Sequence, residues 1–162
     1  MVENAKGLSL QKNMAWNSIG SLIYLGCSWL TTVLVVTLST DYADSGALAV
    51  AMAVGNLVAS ISLFKVRPVQ VSVSDDSFST GDFVGLRIAT SLFALLFVFI
   101  YSSVTVAPSN YGVVALYALF KVAESFVDVF HGVFQKHNRL DYAGKSQIIR
   151  GVLLLASFVI GL

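Results

Sequence analysis

The chain has 162 residues, of which 56% are hydrophobic and only 12% charged, with a formal net charge of +1. Soluble domains carry roughly 25% charged residues, so this composition excludes an ordinary globular domain. The near-zero net charge excludes a basic field for nucleic acid, and the one cysteine, Cys27, lies in an apolar run, where it has no intrachain disulfide partner and no Cys/His cluster of metal-ligand spacing around it.

A helix needs about 20 apolar residues to cross the roughly 30 Å hydrocarbon core of a bilayer. The first such run, 14–38, follows Lys6 and Lys12 but is too long for a cleaved leader and lacks a small-residue cleavage site. It therefore reads as a first transmembrane helix. Further spans are expected at 47–64, 83–106, 111–134 and 146–162, with cytoplasmic loops at 65–82 and 135–145. Pro68 and Pro108 fall between spans. The fold class is thus all-α: a single unit, 1–162, of five transmembrane helices with the fifth truncated.

Basic residues alternate along this frame. The amino terminus carries Lys6 and Lys12, and the segment around Asp41 and Asp44 carries none. Lys65, Arg67 and Arg87 gather at the second loop, 102–110 is uncharged, and Lys136, Arg139, Lys145 and Arg150 gather at the fourth. The positive-inside rule then places the amino terminus and loops two and four in the cytoplasm, as for a multi-pass membrane protein.

Within the second loop, 66–73 alternates apolar and polar residues, which predicts an extended stretch, and Ser72, Ser74, Asp75, Asp76 and Ser77 read as a solvated turn. Ser79 with Asp82 three residues on predicts a capping box that opens the third span; Asp82 reads as a helix-start carboxylate rather than a catalytic one. The last span starts late. From Ser146 to Leu162 it falls short of the bilayer thickness at 1.5 Å per residue, so the chain reads as an amino-terminal piece of something longer.

The fourth span carries the most informative pattern. Lys121, Glu124, Asp128, His131 and Gln135 recur at spacings of three and four, and so fall within roughly an 80° arc of an otherwise apolar helix. Each central Lys or Asp costs about +2.5 to +3.5 kcal/mol on the insertion scale, and each Val, Leu or Phe returns only about −0.3 to −0.6. Three charges outweigh the apolar gain, so the stripe must line a water-filled cavity or meet partner helices, and such residues mark a substrate or ion route. A buried salt-bridge network that only fixes packing is the competing explanation. Lys121 pairs naturally with Glu124, which leaves Asp128 uncompensated on this helix. Repulsion between the two carboxylates makes Glu124 or Asp128 a candidate proton carrier, while His131 reads as an interfacial residue. Arg67, Arg87, Arg139 and Arg150 are assigned to the cytoplasmic mouth, where guanidinium forks match a pyrophosphate headgroup; topology signal and snorkelling compete with that role at each one.

These residues resemble a known family, the polysaccharide and lipid-linked oligosaccharide (O-antigen) flippases of the multidrug/oligosaccharidyl-lipid/polysaccharide exporter superfamily. Lys121, Glu124, Asp128, Gly132, Gln135, Arg139, Ser146 and Arg150-Gly151 carry the main likeness. Arg67, Gln70-Val71-Ser72, Asp75, Phe83 and Arg87 carry a second. Val69 stands where the family tends to have an aromatic residue, Val73-Ser74 separate Ser72 from the Asp, and Phe83 replaces a Tyr. The resemblance covers residues 10–162 and only the front five of the family's helices. It implies most of the first lobe of a two-lobe transporter, multi-pass in a bacterial or archaeal cytoplasmic (inner) membrane, that passes an undecaprenyl-pyrophosphate glycan across that membrane by alternating access. It implies no cofactor and no enzymatic bond-making, with coupling to H+ or Na+ left open. The expected partners are the glycan lipid, membrane lipids and polysaccharide polymerase or assembly proteins, with no nucleic acid. Three rivals stay open: a drug or toxin exporter of the same superfamily, a non-transporting membrane assembly subunit, and, ranked last, a membrane glycosyltransferase or acyltransferase.

Overall fold

The structure, a computed structural model, describes residues 8–39, 41–73 and 78–161. Among them every regular element is helical: α1 (Leu10–Leu38), α2 (Tyr42–Leu63), α3 (Val66–Ser72), α4 (Thr80–Thr105), a single 3-10 turn (Pro108–Asn110), α5 (Tyr111–Lys136) and α6 (Leu140–Gly161). Four stretches are long and apolar enough to cross a membrane: Leu10–Leu38, Tyr42–Ser72, Thr80–Thr105 and Leu140–Ile160. Helix α5 has the length, 26 residues, but the polar stripe lowers its hydropathy. The outward faces carry large apolar side chains such as Trp29, Leu92, Phe99 and Leu116. In water such a surface would be a liability; in lipid it is the solvent-facing side. The chain is therefore an all-helical protein of the membrane-spanning kind.

Helix boundaries follow from local chemistry. The Asp41 side chain accepts a hydrogen bond from the Ala43 amide and starts α2 at Tyr42, earlier than the apolar run alone implies. The Ser79–Asp82 capping box is present in both directions, as its spacing predicts. Thr31, Thr32 and Thr37 return their hydroxyls to carbonyls four residues back, which keeps these polar groups satisfied inside an apolar helix.

Two expectations are corrected. Residues 66–72 are not extended but form α3, a second short helix set off from α2 by Phe64 and Lys65, both in the left-handed region. Pro68 lies in the first turn of α3, where no intrahelical N–H bond is needed, so alternation over so few residues was a poor guide. The solvated turn expected at 74–77, with Asp75, lies outside the described residues, as does Lys6. The second correction concerns the last helix. It begins at Leu140 rather than near Ser146 and runs 22 residues, about 33 Å at 1.5 Å per residue. At that length it is long enough to cross a bilayer. Its polar first turns hid it, because Asp141 and Lys145 are compensated locally.

The chain divides into two compact units, 1–38 with 134–162, and 39–133. In the first, α1 and α6 pack along each other. Gly20 and Gly144 make the contact: a Cβ on Gly20 would land on the Gly144 carbonyl, and one on Gly144 on the Trp16 carbonyl. Backbone-to-backbone approach at small residues is the usual means of helix association where no hydrophobic drive exists. The α5–α6 turn belongs to this unit. Asn138 sits at φ 55°, its amide bonds the Gln135 carbonyl at 3.0 Å, and the Arg139 amide bonds the Phe134 carbonyl at 2.8 Å. This is a Schellman ending, with Phe134 and Tyr142 rings 5.5 Å apart across it. Asn13, wholly buried, ties α1 to the turn. Its Nδ2 donates to the Leu8 and Asn138 carbonyls, and its Oδ1 accepts from the Asp141 amide.

In the second unit, α2, α4 and α5 enclose a small-residue core of Ala51, Val54, Val58, Ala94, Val98, Val106, Val114 and Ala118. A smaller cluster, Val66, Phe83 and Val129, brings α3 in beside α4 and α5.

Candidate functional site: a charged network among α3, α4 and α5

The site is built on the polar stripe of α5. Asp128 is its centre. One carboxylate oxygen accepts from Arg87 of α4 at 3.1 Å, and the other from Arg67 of α3 at 3.4 Å. The two guanidiniums differ in setting. Arg87 is wholly buried and also donates to the Ser62 carbonyl at the end of α2, whereas the Arg67 and Asp128 side chains stay about a quarter exposed (24% and 23%). Asp128, uncompensated on its own helix, is compensated from two neighbouring helices, which helical periodicity cannot show.

Toward the amino-terminal part of α5, Lys121 Nζ lies 2.8 Å from Glu124, as expected from their spacing. It also sits 5.4 Å from the ring centres of both Tyr117 and Phe120. The Lys121 and Glu124 side chains are each 15% exposed. Room for this group comes from α2, since a Cβ on Gly55 would collide with the Tyr117 ring. His131 is buried, and Gln135 is half-buried in the last turns of α5, within the other unit.

Beside Arg87 lies a feature that sequence reasoning missed. Ser62, Ser91 and Ser125, one from each of α2, α4 and α5, are buried with Oγ–Oγ distances of 2.7, 2.7 and 3.4 Å. Ser125 donates onward to the Val122 carbonyl, and Thr90 Oγ1 joins Arg87 on the Ser62 carbonyl. The available signal was a serine at the inward position of each of three otherwise apolar helices. Gln70 of α3 is buried against Gly132, where a Cβ would clash with its amide.

Of the four arginines assigned to a headgroup-receiving mouth, only Arg67 joins the stripe with part of its surface open. Arg87 is interior. Arg139 pairs with buried Asp141 at 3.1 Å and stacks on Tyr142, with Lys145 3.4 Å from the same carboxylate. Arg150 lies about 15 Å along α6 from its start, with its guanidinium 4.1 Å from the centre of the Tyr24 ring. It is a mid-helix residue and not a terminal one. Among the described residues no group of His, Cys, Asp and Glu is placed to hold a metal ion.

This geometry defines a class, a helical membrane protein with a charged, mutually compensated interior. One curated relative narrows it. The chain is 24% identical over 149 residues to the capsular polysaccharide biosynthesis protein CapF of Staphylococcus aureus, a match that takes in 92% of this chain and 37% of the relative. It thus spans little more than a third of that protein's length and is distantly similar to a polysaccharide biosynthesis protein. No family model and no solved structure matches it.

Proposed function

We propose that this chain is part of a flippase that moves a lipid-linked oligosaccharide, of the undecaprenyl-pyrophosphate type, across a bacterial cytoplasmic membrane by alternating access. On this reading it makes no covalent bond and its amino terminus is cytoplasmic, as the alternation of basic residues argues. The observation that carries the reading is the stripe Lys121–Glu124–Asp128 on a helix otherwise suited to lipid. Ionisable residues kept at membrane depth mark routes for polar cargo. The distant likeness to a capsular polysaccharide protein supports a glycan as that cargo. Arg67, part-exposed, is the guanidinium best placed to meet a pyrophosphate. Glu124 is the carboxylate left for coupling to H+ or Na+, since Asp128 already serves two arginines.

The test is translocation of a fluorescent pyrophosphate-linked glycan lipid in proteoliposomes, read by quenching of the outer leaflet. Lys121→Met and Glu124→Gln should each lower the rate at least tenfold while helicity is retained. Full activity in both would refute the role of the stripe.

Internal pairing of every charge on the stripe favours one alternative, a non-transporting assembly subunit whose network only fixes packing. In that case replacing Lys121, Glu124 and Asp128 with leucine, together with apolar replacement of Arg67 and Arg87 so that no charge is stranded, leaves polysaccharide assembly intact, because apolar replacement of a whole buried network is often neutral.

A further inference from the structure

Helix α3 is seated by two sets of opposing features. Holding it in place are Val66, buried with Phe83 and Val129, and the Arg67–Asp128 ion pair. Working against it are three others. Phe64 and Lys65, consecutive non-glycine residues, stand at φ 32° and 49°, in the left-handed region that side chains with a Cβ disfavour. Phe64 is 70% exposed, so no packing compensates its backbone. Gln70 is buried with its Oε1 lacking a hydrogen-bond partner among the described residues. The Arg67–Asp128 pair is 3.4 Å long between side chains about a quarter exposed, the kind of pair that contributes little and that salt weakens. By contrast, Arg87 on the other side of Asp128 is wholly buried and has a second anchor at the Ser62 carbonyl.

We propose that α3 is a hinged latch: it swings about Phe64–Lys65, the Arg67–Asp128 pair holds it shut, and the strained hinge favours release. Opening relaxes both left-handed residues and lets Gln70 find a partner. Arg87 stays with Asp128 as a fixed base, so the carboxylate is never stranded when Arg67 leaves. The device needs no particular cargo and holds for a transporter or for an assembly subunit.

Spin labels at Val69→Cys and Leu116→Cys, both exposed positions, report the distance from α3 to α5 in the full chain with Cys27→Ser, reconstituted in vesicles. The parent should show one main distance, and Arg67→Gln should add a second, longer one. Lys65→Asn, which suits the left-handed region, should shrink that second population in the Arg67→Gln background by about five- to thirtyfold, the factor equivalent to the strain of one left-handed residue. Should Arg67→Gln fail to fold, raising KCl to about 1 M on the parent makes the same comparison by screening the pair. A single unchanged distance in both Arg67→Gln and high salt would overturn the latch. An increase of the longer distance on Lys65→Asn would overturn the role of hinge strain.

Discussion

Asp128→Asn separates the two halves of the network by their energies. The amide keeps the shape of the side chain and removes its charge. Arg87 then loses its one carboxylate partner among the described residues while remaining at 0% exposure, and keeps as acceptors the Ser62 carbonyl and a neutral amide oxygen that cannot balance its charge. Removing one member of a buried ion pair costs about 3–5 kcal/mol, because the stranded charge stays desolvated. Arg67→Gln breaks the other half, where both side chains are about a quarter exposed at 3.4 Å, and should cost about 0–1 kcal/mol. The expected gap is at least about 2 kcal/mol, close to thirtyfold in the unfolding equilibrium. Detergent-titrated unfolding in mixed micelles, followed by helical circular dichroism, measures it. A third variant, Arg87→Met with Asp128→Leu, removes both charges and should recover most of the loss. The reasoning is refuted if Asp128→Asn is as mild as Arg67→Gln, or if the double replacement is worse than the single one.

Other expectations follow from the packing. Gly20→Ala drives a methyl into the Gly144 carbonyl and should cost about 1–3 kcal/mol, whereas Gly26→Ala, with open space around its Cβ, should be neutral or stabilise by up to about 1 kcal/mol; thermal denaturation in detergent compares them. Asn13→Ala should cost about 2–3 kcal/mol, since it strands the Asn138 carbonyl and the Asp141 amide, and exchange of the Asp141 amide proton should quicken with it. Ser79→Ala removes the cap of α4 and should cost about 1 kcal/mol, with faster amide exchange confined to its first turn and the rest of α4 unaffected.

Composition and long apolar runs made the helices legible, and a Ser and an Asp three apart made one boundary legible to the residue. Two of the boundaries that escaped have a common cause. The capped early start of α2 and the early start of α6 both lie where polar residues find local partners: Asp41 at an amide, Asp141 between Arg139 and Lys145. Hydropathy charges such residues with a cost that pairing has removed. The stripe on α5 was visible because one helix carries it. Its counter-charges on α3 and α4 were not, because pairing between helices depends on packing that no single-helix periodicity encodes. The same holds for the three serines, each unremarkable in its own segment. Asn138 was the missed local signal, an asparagine at the residue where a helix turns back.

The pairing of Asp128 with residues that precede it in the chain also bears on biogenesis. As α5 leaves the translocon, its carboxylates enter lipid at a cost that its own apolar residues do not cover. Arg67 and Arg87 have been synthesised by then, on segments already apolar enough to insert. Within α5 Lys121 and Glu124 compensate each other, so the part of the cost that falls to α3 and α4 is that of Asp128, and the insertion of α5 is expected to gain from helices made before it. Replacing Arg67 and Arg87 together with leucine, which removes both partners of Asp128, should lower the inserted fraction of α5 even though no residue of α5 has changed, and glycosylation-site mapping of α5 and its flanking turns would record the loss.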